Sequence, residues 1–224
     1  MVASHVELLY MERNAREISP NAQVAINRDL VVLDVGGVLF TDITISLMRT
    51  VVQATSCTEE AVSGAFEPLE KDLWCGLIST DQFWRAFGDK LNCHLDSNFW
   101  DEECVKLQKP LLSEQSLSYL LAKCDVALLT NHRTEWLFPA LKEVRLKDSF
   151  CPIVVSAIEG CMKPDPRIYE VIDNVLPRHY GRRLFIDDRP INLKPAEHLG
   201  YQVMLADPRQ DWETAVVKWA QTIP

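Results

Sequence analysis

Residues 30–37 read Leu30-Val31-Val32-Leu33-Asp34-Val35-Gly36-Gly37, and they decide the fold. A short unbroken apolar run ending at a turn is the pattern of a strand buried on both faces, as in a parallel sheet covered by helices. Asp34 closes the run, and two glycines open the turn behind it. A lone carboxylate thus stands at the carboxyl end of a buried strand, where a nucleophile belongs. Ligands of open parallel sheets collect outside those ends, and glycine lets a phosphate or a metal ion approach the main chain closely.

Three later strand ends carry further polar groups. Thr130-Asn131 follow Val126-Ala127-Leu128-Leu129, Lys163 precedes Pro164-Asp165-Pro166, and Asp187-Asp188 follow Arg183-Leu184-Phe185-Ile186. From residue 113 onward, helical spacing alternates with short apolar runs, which predicts right-handed βαβ units and a doubly wound α/β core. Strands are expected at 125–130, 152–156, 183–187 and 202–206, and helices at 113–122, 135–144, 193–199 and 212–219. A further helix is expected to be capped by Asp165 and to begin at Pro166. Pro195 reads as a first-turn residue of the 193–199 helix. Residues 41–110 are rich in helix starts, such as Ser79-Thr80-Asp81 and Asp96-Ser97, and read as a small helical cap inserted after the first strand. The core is then 29–40 and 111–224. Residues 1–28 form an extension with a faint helical pattern at Val6, Leu8, Leu9 and Met11.

With 224 residues, 47% hydrophobic and 25% charged, the chain has enough apolar mass for one sizeable core plus an appended unit. Its net charge of −9 argues against nucleic acid or an anionic membrane as partner, so an anionic substrate must meet a local cluster of cations. The seven cysteines include no Cys-x-x-Cys pair and leave one over, which suggests reduced thiols in the cytoplasm rather than a zinc site or disulfides. No apolar run approaches membrane-spanning length. The sequence does not specify an oligomeric state.

Taken in order, the four strand-end motifs resemble those of the haloacid dehalogenase (HAD) superfamily, and the likeness runs from about Leu30 to about Asp207. Phe185-Ile186-Asp187-Asp188, followed by Asn192-Leu193-Lys194-Pro195-Ala196 and Leu199-Gly200, is most similar to the phosphatase domain of soluble epoxide hydrolases and to bacterial sugar-phosphate phosphatases. The resemblance implies Mg²⁺-dependent hydrolysis of a small phosphorylated metabolite. Asp34 would be the covalent nucleophile, with Asp34, Asp188 and the Gly36 carbonyl as metal ligands and Asp187 acting through water or from behind them. Thr130 and Asn131 offer a hydroxyl and an amide to the phosphoryl oxygens, and Lys163 neutralises both those oxygens and the carboxylates. His132, Arg133, Arg167 and Arg189 lie beside the motifs and could add positive field. Most of the insert's Trp and Phe residues are expected to form its own packing.

One departure stands out. Phosphatases of this superfamily usually carry a second aspartate two residues after the nucleophile, and here that place is Gly36. Either turnover is confined to good leaving groups, or another side chain supplies the proton, with His132 nearest in sequence. Carbon–halogen hydrolysis needs no such acid, but has no use for Asp187-Asp188. A non-catalytic module that binds a phosphorylated ligand is the third reading.

Overall fold

The structure is a computed structural model that describes residues 28–146, 148–177 and 179–222. The faint helical pattern near the N-terminus lies outside the described residues. Arg28, assigned above to the extension, belongs to the core: its guanidinium donates to the carbonyls of Leu121 and Cys124 and pairs with Asp125 at 3.1 Å.

Five strands, β1 (Leu30–Leu33), β2 (Asp125–Thr130), β3 (Ile153–Val155), β4 (Arg183–Asp187) and β5 (Gln202–Leu205), form one parallel sheet in the order β3-β2-β1-β4-β5. The order reverses at β1, so the crevice outside β1, β2 and β4 is where this topology places a ligand. Alternation along β1 explains the two layers. Val31 and Leu33 face a cluster with Leu117 and Leu120 of α5 (Glu114–Lys123) and Val216 of α10 (Trp212–Gln221). Leu30 and Val32 face Ile168, Tyr169 and Ile172 of α8 (Pro166–Val175) and Ala196 of α9 (Pro190–His198).

The insert consists of α1 (Ile43–Thr55), α2 (Glu59–Trp74), α3 (Thr80–Leu91) and α4 (Ser97–Lys106), each opened by a side-chain N-cap from Asp42, Thr58, Ser79 and Asp96 in turn. Its aromatic residues build a separate core, with Phe83 stacked on Phe87 at 5.3 Å and Trp84 on Trp100 at 5.6 Å. The two linkers pair in a stem, where Thr41 N–H donates to the Lys109 carbonyl and Phe40 bridges Pro110.

Side chains of Asp101, Arg133 and Ser156 are among the polar groups that fasten the insert to the core. Asp101 of α4 accepts from the indoles of Trp84 (2.7 Å) and Trp136 (2.8 Å) and from the Thr80 hydroxyl (2.8 Å), and Trp136 belongs to core helix α6 (Thr134–Glu143). Arg133 donates to the Leu73 and Ile78 carbonyls at the end of α2 and pairs with Glu135 at 2.6 Å. Ser156, the first residue of α7 (Ser156–Glu159), donates to the Trp74 carbonyl.

Most element ends fall within one or two residues of the sequence reading, and two of the differences have a visible cause. β3 stops at Val155, because the Ser156 hydroxyl is engaged by the Trp74 carbonyl and the His132 N–H. α9 begins at Pro190, three residues early, because the Asp187 carboxylate accepts from the Arg189 N–H at 2.8 Å and from the Asn192 amide at 2.9 and 3.1 Å, winding the chain directly after β4. Pro195 is therefore its sixth residue and forgoes the bond to the Ile191 carbonyl. No helix among the described residues is long and apolar enough to cross a membrane.

Candidate active site

Register brings Leu33 opposite both Leu128 and Ile186, so the next residue on β1 emerges level with the ends of its neighbours. Asp34 is fixed there by its N–H on the Ile186 carbonyl (2.9 Å), and its Oδ1 accepts from Val35 N–H (2.7 Å). The Lys163 ammonium lies 2.7 Å from Asp34 Oδ1 and 2.6 Å from Asp187 Oδ2, with Lys163 only 1% exposed. Burial alone would lower the Lys163 pKa, but Asp187 and Asp34 outweigh it and hold the group charged. Burial pushes the Asp34 carboxyl up to about 8, with Lys163 opposing and Asp187 adding to the rise. One ammonium between two buried carboxylates leaves excess negative charge, the electrostatic setting that a cation relieves.

The third carboxylate supplies the place for such a cation. Asp34, Asp187 and Asp188 each offer an oxygen within 4.8 Å of the others. Asp187 is fully engaged by Lys163, Arg189 N–H and Asn192, which leaves it the supporting role. Among the described residues no donor reaches the Asp188 carboxylate, and burial, then Asp187 and Asp42, push its pKa up to about 6. Gly37 has φ +75°, and a Cβ there would lie 2.5 Å from Asp188 Oδ2, so only glycine lets that carboxylate approach. Two under-compensated carboxylates with oxygen donors only suit a hard divalent ion such as Mg²⁺.

Asp34, Gly36, Thr130, Asn131, Lys163 and Asp188 all line one cavity of about 60 Å³, and Asp187 lies behind it. The Asn131 amide, expected to face phosphoryl oxygens, instead grips the Lys163 main chain, donating to its carbonyl (2.9 Å) and accepting its N–H (2.8 Å). Arg133, expected to add field, points into the insert. His132 lines the cavity, but its ring is buried beside Trp74 and Trp136, and burial pulls its pKa down to about 4. An imidazole held neutral in this way is poorly suited to deliver a proton as a cation. Trp74 also lines the cavity, while most other insert aromatics pack internally.

Asp42 was missed by the sequence reading. It caps α1 through Ile45 N–H (3.1 Å) and lines the same cavity, and its Cα lies 3.8 Å from where a Cβ on Gly36 would be. The only sequence signal was a helix N-cap, which has a sufficient structural reason of its own.

No family model matches the chain. A mouse (Mus musculus) protein, acyl-CoA dehydrogenase family member 10, is 31% identical over 145 residues, a match spanning 59% of this chain and 13% of that protein. Among solved structures, a predicted HAD-like family hydrolase from Porphyromonas gingivalis has a TM-score of 0.71 at 20% identity, covering 88% of this chain and all of that one. A HAD-family enzyme from Bacteroides thetaiotaomicron, solved with magnesium and inorganic phosphate, has a TM-score of 0.62 at 21% identity over 84% of this chain and 98% of that one. L-2-haloacid dehalogenase from Xanthobacter autotrophicus, with chloropropionic acid covalently bound, gives 0.59 at 20% over 87% and 84%. With its parallel sheet, strand order and carboxyl-end crevice, this chain has the α/β fold of the HAD superfamily.

Proposed function

We propose that the chain is a Mg²⁺-dependent phosphatase acting on a small phosphate monoester through an aspartyl-phosphate on Asp34. The observation that carries this reading is the Asp34–Lys163–Asp187 triplet beside a carboxylate, Asp188, that lacks a donor. Asp34 attacks phosphorus, Lys163 and the Thr130 hydroxyl compensate charge on the transferred oxygens, and Asn131 and Asp187 hold Lys163 in place. Mg²⁺ held by Asp34 and Asp188 would neutralise phosphoryl charge when bound. Residues 41–110 act as the cap over the site. The Bacteroides relative's magnesium and phosphate support this choice, and seven free cysteines suit a reducing cytoplasm. The test is phosphate release from a panel of phosphorylated metabolites with and without Mg²⁺, beside chloride release from haloacids in chelator. Mg²⁺-dependent phosphate release is expected; chloride release alone would establish the dehalogenase reading that Gly36 also permits.

In place of a carboxylate at position 36, Asp42 protonates the leaving oxygen and later takes a proton from the attacking water. Asp42→Asn keeps the helix cap, since Asn caps as well as Asp. It is expected to slow alkyl phosphates by about a hundred-fold or more and aryl phosphates far less, because acid help matters most for poor leaving groups. Gly36→Asp in that background is expected to restore alkyl turnover, as a Cβ there meets nothing closer than 3.8 Å. Equal losses for both leaving-group classes would remove Asp42 from this role.

Stability carries a second signature. The Asp34 and Asp188 carboxyls titrate near about 8 and about 6 in the fold, above their unfolded value of 3.8. Between about pH 4 and 8 the folded chain then binds more protons than the unfolded one, so stability contributed by these groups falls as pH rises. A cation that binds their ionised forms reverses this. Thermal melts are expected to show a larger Mg²⁺-induced rise in Tm at about pH 8 than at about pH 5. An equal rise at both would count against these carboxylates as the ligands.

A further inference from the structure

The catalytic cavity, at about 60 Å³, is far below the roughly 300 Å³ at which pockets begin to hold organic ligands. It accommodates the transferred group, so the rest of a substrate must lie elsewhere. A cleft of about 390 Å³ adjoins it and shares Glu70, Met162, Lys163 and Arg189 with it. One wall comes from the end of α2 (Lys71, Cys75), the other from the core after β3 (Cys161, Pro164, Arg167) and after β4 (Arg189, Ile191).

Charge within the cleft is unevenly satisfied. Arg167 is taken by Asp165, with three contacts of 2.7–3.1 Å. Among the described residues, neither the Lys71 ammonium nor the Arg189 guanidinium has a carboxylate partner, and both are exposed. Glu70 is the remaining acid there, so the unpaired groups sum to a positive rim on a chain of net charge −9. Two free cations from two different layers, facing one cleft that opens on the phosphoryl site, are arranged to bracket an anion on the far part of a substrate.

We propose that this cleft is a leaving-group subsite, and that the substrate carries a second anionic group, a carboxylate or another phosphate, held between Lys71 of the insert and Arg189 of the core. The inference rests on the phosphatase reading and narrows its substrate class to small phosphoesters that carry a second anionic group. Arg189 offers a planar fork to such a group and Lys71 a point charge, so the insert contributes selection and the core contributes orientation.

The test compares KM for phosphoglycerate and glycerol phosphate, which differ by a carboxylate against a neutral hydroxymethyl, in the wild type and in Lys71→Ala, Arg189→Ala and the double variant. The wild type is expected to favour phosphoglycerate, and each substitution to raise the ratio of its KM to that of glycerol phosphate by about ten-fold, the usual weight of a hydrogen bond to a charged group. Arg189→Lys should recover part of the ratio, and added salt should erode it. A ratio unmoved in the double variant, or equal rises for both substrates, would overturn the subsite while leaving Mg²⁺-dependent phosphate release, and so the phosphatase reading, intact. If the wild type releases phosphate from no ester in the wider panel, the reading beneath the proposal fails and the proposal with it.

Discussion

Asp34→Asn is expected to reduce phosphate release by about four orders of magnitude or more, the scale seen when a covalent nucleophile is removed. The same variant should melt no lower than the wild type. Asparagine keeps an oxygen for the Lys163 ammonium, which retains its 2.6 Å partner in Asp187. The substitution also removes one of the buried carboxylates whose charge the fold compensates incompletely, the usual trade between activity and stability at such sites. Phosphate assays and melting curves on the same preparation check both parts. Activity within ten-fold of wild type would show that Asp34 is not the attacking group, whatever the stability.

Asp101→Ala should produce the largest loss of stability, about 3–5 kcal/mol. It strips the acceptor from two fully buried indoles, Trp84 and Trp136, and from Thr80. Each buried donor left without a partner costs about 1–3 kcal/mol. For a chain of this size that corresponds to a fall in Tm of about 10 °C. Asp101→Asn should lose much less, since both indoles share Oδ1 and an amide oxygen can take that position. Equal losses in the two variants would mean that charge, not acceptor geometry, holds α4 to α6.

The sheet was legible because parallel strands buried on both faces appear as unbroken apolar runs, and each such run here, Leu30–Leu33 most clearly, became a strand. Asp34 and Asp188 were legible for the same reason: strand ends fix where side chains emerge, and register does the rest. Lys163, read as another strand-end group, instead lies beyond the short helix α7, where Asn131 holds its main chain and Asp34 and Asp187 hold its ammonium. What failed to show depended on contacts between distant segments. Arg133 lies one residue beyond His132, yet its guanidinium is claimed by the Leu73 and Ile78 carbonyls, some sixty residues away in sequence. Asn131 is turned aside by the Lys163 main chain. Asp42 carries an ordinary helix-start signal, and only the fold of the 34–42 turn brings it beside Gly36. The start of α9 was displaced because Asp187, read as a strand-end acid, also receives the N–H of Arg189, the residue just before that helix, and the amide of Asn192 in its first turn.

Of the six tryptophans, Trp74, Trp84, Trp100 and Trp136 gather where the insert meets core helix α6, two of them on a single Asp101 oxygen and one bordering the candidate active-site cavity. Indole emission depends on hydrogen bonding and local polarity. The molecule therefore carries its own optical gauge of that seam: loosening it, or filling the space beside Trp74, should change the protein's natural fluorescence without any attached dye.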